Sequence, residues 1–229
     1  MFKKINILGI GFTNAKEDEV LEYIIQGLEK DRQKYFIVTP NPEILMLADS
    51  SSDYKNIVNS AKLALPDGIG VMIAGKILNK ELKEKITGVD FVKSLCIAVA
   101  EKPITVGFLG AGPRIAEQTA KCLKRKYPGL KVTFASSEFS PSTSLRTGVQ
   151  SPKSHNHEFI TKIPATDILF VAFGSPKQEI WIYENLSKLP IKVEIGVGGA
   201  FDFLSGKVKR AAFWIRKAGL EWLFRLIFQ

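Results

Sequence analysis

Asp67 stands in the turn Pro66-Asp67-Gly68-Ile69-Gly70, directly after the apolar run 61–65. A carboxylate at the end of a strand, with glycines leaving room beside it, is where a general base would meet a bound hydroxyl. The same side chain could instead cap the helix that follows. Thr39 and Asn41 occupy an equivalent place in Thr39-Pro40-Asn41-Pro42-Glu43, after the run 35–38. Two prolines stiffen that backbone and would present both polar side chains with little freedom. The plainer reading is a helix start, with Asn41 as N-cap, Pro42 at the first helical position and Glu43 complementing the dipole.

Three further junctions carry polar or glycine-rich residues. In Gly107-Phe108-Leu109-Gly110-Ala111-Gly112-Pro113, Gly110 and Gly112 form a turn of the phosphate-binding kind, where backbone N–H groups and a helix N-terminus meet an anion. Its spacing is not that of the dinucleotide fingerprint. In Phe173-Gly174-Ser175-Pro176-Lys177-Gln178-Glu179, Ser175 could be an N-cap with Gln178 at the capping-box position. Lys177 and Gln178 could equally reach a nucleotide phosphate or base. In the segment 196–202, Gly196, Gly198 and Gly199, with Gly206 beyond, allow close backbone approach to a ligand. Asp202 would anchor that turn or bind a sugar or ribose hydroxyl. Each junction is weak alone, but together at one sheet end they would form a site.

The elements that must position these residues alternate in type. Short β-branched runs at 5–10, 35–38, 61–65, 104–109, 131–135, 167–172 and 192–196 read as strands. Helical patterns fall at 16–30, 42–49, 68–78, 89–100, 113–126, 176–186 and over most of 211–228. That alternation predicts an α/β fold: a three-layer Rossmann-like, mostly parallel sheet with a C-terminal helical appendage. One domain is expected over residues 1–210 and the appendage over 211–229, with no internal repeat and no linker.

The chain has 229 residues, 45% hydrophobic and 24% charged, which is ordinary for a globular protein. Its net charge of +9 favours anionic partners: nucleic acid, anionic lipid or phosphorylated substrates. The cluster Lys121, Lys124, Arg125 and Lys126 reads as a solvated helix face. Cys96 lies in an apolar run as a small core residue, and Cys122 has no partner at metal or redox spacing, which suits a reduced, cytosolic chain. No signal peptide opens the sequence, and no apolar run reaches the ~18 residues needed to span a bilayer. The segment 136–157 is rich in Ser, Thr and Pro and reads as a loop. It holds His155 and His157, which read as exposed loop residues rather than zinc ligands, since no cysteines or carboxylate cluster accompany them.

Taken in order, these segments resemble the WecG/TagA/CpsF glycosyltransferase family. The resemblance is carried by Thr39–Glu43, Pro66–Gly70, Thr87-Gly88-Val89-Asp90, Gly174–Glu179, the segment 196–210 and Gly219-Leu220-Glu221-Trp222-Leu223. It implies transfer of N-acetylmannosamine, or its uronic acid, from UDP to undecaprenyl-diphosphate-linked N-acetylglucosamine, with inversion, in wall teichoic acid or a related envelope polymer. By resemblance Asp67 is the base, Thr39 and Asn41 line the acceptor side, and Gln178 belongs to the site. The resemblance also implies an enzyme without a metal or other cofactor, and the chain has no Asp-x-Asp motif for a divalent ion. Arg or Lys must then meet the departing diphosphate. Where the family has Arg shortly before Thr-Gly-x-Asp, this chain has Lys85, which keeps the charge and loses the bidentate fork. The segment 136–157 is longer than the family leads one to expect.

From residue 211 onward a helix would be apolar almost all round, with Lys217, Glu221 and Arg225 on one strip. Trp214 and Trp222 beside basic residues suit a helix lying on anionic lipid, and packing against the domain or a second subunit suits it nearly as well. By resemblance the appendage contributes arginines, making Arg210, Arg216 and Arg225 candidates for diphosphate contacts. The expected setting is cytoplasmic, peripheral on the inner face of the plasma membrane, without nucleic acid, and with a homo-oligomer open. Two other classes remain at this point: a nucleotide-dependent oxidoreductase, suggested by Gly107–Gly112, and a non-catalytic basic membrane module.

Overall fold

A computed structural model describes residues 2–30, 34–137, 160–212 and 215. The chain runs β1 (Lys4–Ile7), β2 (Ile10–Thr13), α1 (Glu17–Glu29), β3 (Tyr35–Val38), α2 (Pro42–Ser50), α3 (Ser52–Ser60), β4 (Leu63–Ala64), α4 (Ile69–Ile77) and α5 (Gly88–Val99). It continues through β5 (Thr105–Gly110), α6 (Ile115–Lys126), β6 (Lys131–Ser136), β7 (Thr166–Ala172), α7 (Lys177–Asn185), β8 (Ile191–Gly196) and α8 (Ala200–Leu204).

Six strands form one parallel sheet in the order β4-β3-β8-β7-β5-β6. The step from β3 to β4 winds toward one edge and the step from β5 to β6 toward the other. Strands β7 and β8 then fill the middle. The carboxyl ends of β3, β8 and β7 therefore lie side by side where the winding reverses, the usual place for a ligand in an open α/β sheet.

The central strands are apolar on both sides because both faces are covered. On one face Val106, Phe108, Ile168, Phe170, Val193 and Ile195 pack under α1, α5, α6 and α8. Phe108 is central there, with ring centroids 5.4 Å from Phe170 and 5.6 Å from Phe201. Burial of each such ring is worth about 2–3 kcal/mol. On the other face Phe36, Val38, Leu169 and Val171 pack under α2, α3 and α7.

The short helix α8 was not expected from the sequence, and two features near the N-terminus differ from the expectation as well. The strand expected over 5–10 is instead a β-hairpin, β1 pairing antiparallel with β2. Its turn residues Leu8 and Gly9 both have positive φ, 49° and 86°, as a two-residue hairpin turn with the right twist requires. Asn59 clasps the turn, accepting from Gly11 N at 3.0 Å and donating to Gly9 O at 2.9 Å. The hairpin shields the edge strand β4, where Ala64 N donates to Thr13 Oγ1 at 3.0 Å. The second difference is α3, which follows α2 after one residue. Ser51 caps it, accepting from Tyr54 N at 3.3 Å, and it buries Tyr54 and Val58 one turn apart.

Cys96 is fully buried on α5, and burial pushes its thiol up to about 12. Lys121, Lys124, Arg125 and Lys126 form an exposed face of α6. Residues 138–157 of the serine-rich segment, with His155 and His157, lie outside the described residues. So does the helix expected over 211–228, apart from residues 211, 212 and 215; Trp214, Arg216, Lys217, Glu221, Trp222 and Arg225 are among those not described.

Candidate active site

The loops leaving β3, β4, β7 and β8 enclose a small polar cleft of about 90 Å³. Its lining includes Thr39, Asn41, Asp67, Ser175, Gln178 and Gly198. Four of the five strand-to-helix junctions singled out from the sequence thus contribute residues to one place.

Each polar residue is held by the backbone of a different element. Thr39, buried at the end of β3, donates Oγ1 to Gly196 O at 3.0 Å and ties β3 to β8. Asn41 is an N-cap as well as a lining residue: its Oδ1 accepts from Ile44 N at 2.9 Å and starts α2. Asp67 N donates to Pro40 O at 3.0 Å, so the turns after β3 and β4 are bonded to each other.

The carboxylate of Asp67 does not cap the helix that follows it. Helix α4 begins at Gly68 with no side-chain cap, and Asp67 Oδ2 instead accepts from Gly88 N at 3.1 Å, at the start of α5. That helix end carries partial positive charge and orients the carboxylate. Gly88 makes this approach roomy, and a larger residue would need only a slight shift of its neighbours. A Cβ there would lie 3.3 Å from Val197 O and 3.7 Å from both Asp67 Oδ2 and Thr39 Oγ1. Thr87 caps the same helix, accepting from Asp90 N at 3.3 Å.

The turn after β7 is organised by a buried carboxyl. Glu179 accepts from Gln178 Nε2 at 2.6 Å, Tyr54 Oη at 2.9 Å and Ser175 Oγ at 3.1 Å. Burial pushes the Glu179 carboxyl up, and the bonds from Gln178, Tyr54 and Ser175 pull it back. Burial likewise raises the Tyr54 phenol, reinforced by the neighbouring Glu179 charge. With its amide nitrogen held by Glu179, Gln178 turns Oε1 toward Gly198 N, which donates to it at 2.9 Å. Gln178 thereby sets the loop after β8. The N-cap and capping-box roles considered for Ser175 and Gln178 are not adopted. Helix α7 starts after Pro176 without a side-chain cap, because both side chains are taken up by Glu179 and Gly198.

Other sequence candidates sit around this cleft. Gly199 lines it together with Gly198. Lys177 opens α7 beside Gln178, and Lys85 lies in the connection before α5; both are half-buried and neither is among the lining residues. Asp202 anchors its turn, its carbonyl accepting from Val208 N at 3.0 Å and its carboxylate pairing with Lys207 at 3.8 Å. Gly110 and Gly112 stand at the end of β5, outside the lining. A Cβ on Gly110 would come within 2.6 Å of the Phe173 ring, so packing accounts for that glycine. Arg210 grips Asp90 with both terminal nitrogens, Nη2 to Oδ2 at 2.8 Å, and its Nη2 donates to Thr87 Oγ1 at 3.4 Å. Burial would raise the Asp90 carboxyl, but Arg210 and Thr87 overcome this and hold it at about 2.

Tyr54 and Glu179 are the positioning residues that sequence reasoning missed. Glu179 lay within a motif already singled out, while Tyr54 sits in a helix whose pattern gave no hint of a role.

This arrangement presents a carboxylate, a threonine hydroxyl, two amide side chains and glycine backbone around one small space, suited to binding and deprotonating a polyhydroxyl ligand. The family model described as "Glycosyl transferase WecG/TagA/CpsF family" matches residues 5–229. The chain belongs to this glycosyltransferase family. A relative in Bacillus spizizenii is 36% identical over 194 residues, covering 84% of this chain and 70% of the relative. Another in Bacillus subtilis (strain 168) is 30% identical over 221 residues, covering 96% and 82%. A third in Staphylococcus aureus (strain MRSA252) is 30% identical over 236 residues, covering 98% and 84%. All three carry the name N-acetylglucosaminyldiphosphoundecaprenol N-acetyl-beta-D-mannosaminyltransferase. Neither the oxidoreductase reading nor the non-catalytic module finds support in these relatives. No helix among the described residues is long and apolar enough to cross a membrane.

Proposed function

We propose that this glycosyltransferase moves N-acetylmannosamine from a UDP donor to N-acetylglucosamine carried on a polyprenyl diphosphate. The observation that carries the reading is the meeting of Thr39, Asn41, Asp67 and Gln178 in one cleft, within a chain that matches the family over residues 5–229. The relatives' shared name supplies the sugar and the acceptor.

In this mechanism the acceptor hydroxyl lies against Asp67, which takes its proton as the oxygen attacks the anomeric carbon. The C–O bond to UDP breaks on the opposite face, so one displacement inverts the centre. A placed base contributes on the order of 10²–10⁴-fold. Thr39 and Asn41 orient the acceptor, and Gln178 keeps the Gly198 loop in position. The leaving diphosphate is met without a metal, by cations of the chain: Lys85, Lys177, Arg210, and Arg216 and Arg225 from the appendage 211–229. For Arg210 this requires release from, or sharing with, Asp90. The appendage also rests the enzyme on the cytoplasmic face of the membrane, where the acceptor is embedded.

UDP release is the direct test. A panel of UDP-sugars is offered with a short-chain lipid-diphosphate-GlcNAc acceptor, with and without EDTA. Acceptor-dependent release from UDP-N-acetylmannosamine, unaffected by EDTA, is expected. Release that favours another sugar, or needs a divalent ion, refutes the corresponding part.

A further inference from the structure

Beside the polar cleft lies a larger groove of about 450 Å³, within the range usual for ligand sites. Its lining comes mainly from the β1–β2 turn, α2 and α4, with one residue of α3, and includes Leu8, Pro42, Leu45, Met46, Gly70 and Ala74. The two charged residues that line it, Lys55 and Asp49, pair with each other at 3.8 Å, so the groove carries no net charge. Hydrocarbon suits such a lining and a diphosphate does not.

The surface continuing from the groove is apolar too. Among the described residues seven large hydrophobic side chains are exposed, and five of them, Leu8, Met46, Ile73, Ile77 and Leu78, stand on or directly after the β1–β2 turn, α2 or α4. Gly70, Ile73, Ala74 and Ile77 follow helical spacing and form one stripe along α4, while Val71 and Gly75 face inward. A concentration of exposed apolar side chains at one place marks a binding surface.

Residues adjacent in sequence line the groove and the cleft. Asn41 and Ile44 line the cleft, while Pro42 and Leu45 line the groove. Asp67 lines the cleft, and Gly70 lines the groove three residues later. A Cβ on Gly70 would come within 2.7 Å of Pro42 Cγ, so the starts of α2 and α4 touch here. A ligand whose sugar lies against Asp67 and Asn41 would leave the cleft over Pro42 and meet the groove first.

We propose that the groove between the β1–β2 turn, α2 and α4 holds the hydrocarbon chain of the lipid-linked acceptor, next to the diphosphate that the cleft receives. The inference rests on the transferase reading above. It assigns the groove to the acceptor's own tail, since only that occupant must begin at the cleft.

The test uses Met46→Glu and Ile77→Glu, at positions 74% and 75% exposed, where a charge leaves the core untouched. Transfer is measured to two acceptors with the same sugar diphosphate, one on a full-length polyprenyl chain in micelles and one on a short water-soluble alkyl chain. A tenfold or greater rise in KM for the long acceptor, with KM for the short one and kcat on both unchanged, is the expected result. Equal effects on both acceptors, or none on either, overturn the proposal. A sugar-free photoreactive polyprenyl diphosphate should label α2 and α4 in the native chain and lose that label in the variants; labelling elsewhere is fatal to it. This second readout is independent of turnover, so absence of UDP release with either acceptor counts against the transferase reading alone. Loss of a dimer in the variants by sedimentation would make the face a subunit interface. An equal loss of flotation on acceptor-free vesicles would make it a general bilayer contact. Either outcome overturns the assignment.

Discussion

Replacing Glu194 by Gln should make the protein's stability less sensitive to pH. Glu194 lies in the middle of β8, fully buried, in register with Phe36 on β3 and Leu169 on β7. Among the described residues neither carboxyl oxygen has a hydrogen-bond partner. Burial pushes this carboxyl up to about 8 from an ordinary 4.5, and the attraction of Lys34 offsets only part of that. Because the folded value is the raised one, the stability associated with the neutral acid is complete below about pH 4.5 and is lost as pH rises through about 8. The gap of about 3.5 units, at about 1.4 kcal/mol each, sets a ceiling of about 5 kcal/mol, which relaxation and water entry reduce. Glutamine has the same shape and no proton to lose. Its stability relative to the native chain should therefore grow by roughly 1 kcal/mol per pH unit between pH 5 and 8. Urea unfolding followed by tryptophan fluorescence at pH 5, 6, 7 and 8 reads this difference directly. The slope is the readout, since the buried amide has a constant cost of its own. A gap between the two proteins that stays the same at all four pH values would refute the reasoning.

Tyr54→Phe removes one of the three side-chain donors to Glu179 and should cost about 1–3 kcal/mol in thermal or urea unfolding. It should also lower kcat/KM, because Glu179 holds Gln178 and Gln178 holds the Gly198 loop that lines the cleft. Gly70→Ala places a methyl within 2.7 Å of Pro42 Cγ, forcing α2 and α4 apart. A loss of about 1–3 kcal/mol and a lower kcat/KM are expected by calorimetry and UDP release. Asp90→Asn weakens the Arg210 clamp. Asp90 is depressed to about 2, so its contribution is present above about 3.8 and lost as pH falls through about 2. With the side chain 40% exposed, screening leaves about 1 kcal/mol at pH 6, and the gap in urea midpoints should narrow at pH 3.

Much of the sheet was legible because its central strands are buried on both faces and read as short β-branched runs. Residues 35–38, 104–109 and 167–172 became β3, β5 and β7 within a residue or so at either end. The hairpin was missed because Leu8-Gly9 is not a typical turn pair: an L-residue adopts positive φ there, held by Asn59 from 50 positions away. Helix α3 was missed because only Tyr54 and Val58 of its residues are buried, too little to register as a period. In the site, Thr39, Asn41, Asp67 and Gln178 could be named from the turns that follow strands. What binds them could not, since Thr39 to Gly196 and Tyr54 to Glu179 are contacts across the sheet order, which local patterns do not contain. Asp67 shows the same limit. Its local partner would be α4, but the fold brings α5 to it instead.

The central claim is that Asp67 takes the acceptor proton, and Asp67→Asn isolates that step. Asparagine can still accept the Gly88 N–H bond, so the turn should keep its shape. Titration of UDP-N-acetylmannosamine into the variant and measurement of transfer to the short-chain acceptor separate binding from chemistry. The account predicts donor affinity within about twofold of the native chain and kcat lower by on the order of 10²–10⁴. Turnover that survives the substitution, or a loss that lies wholly in donor affinity, would contradict it.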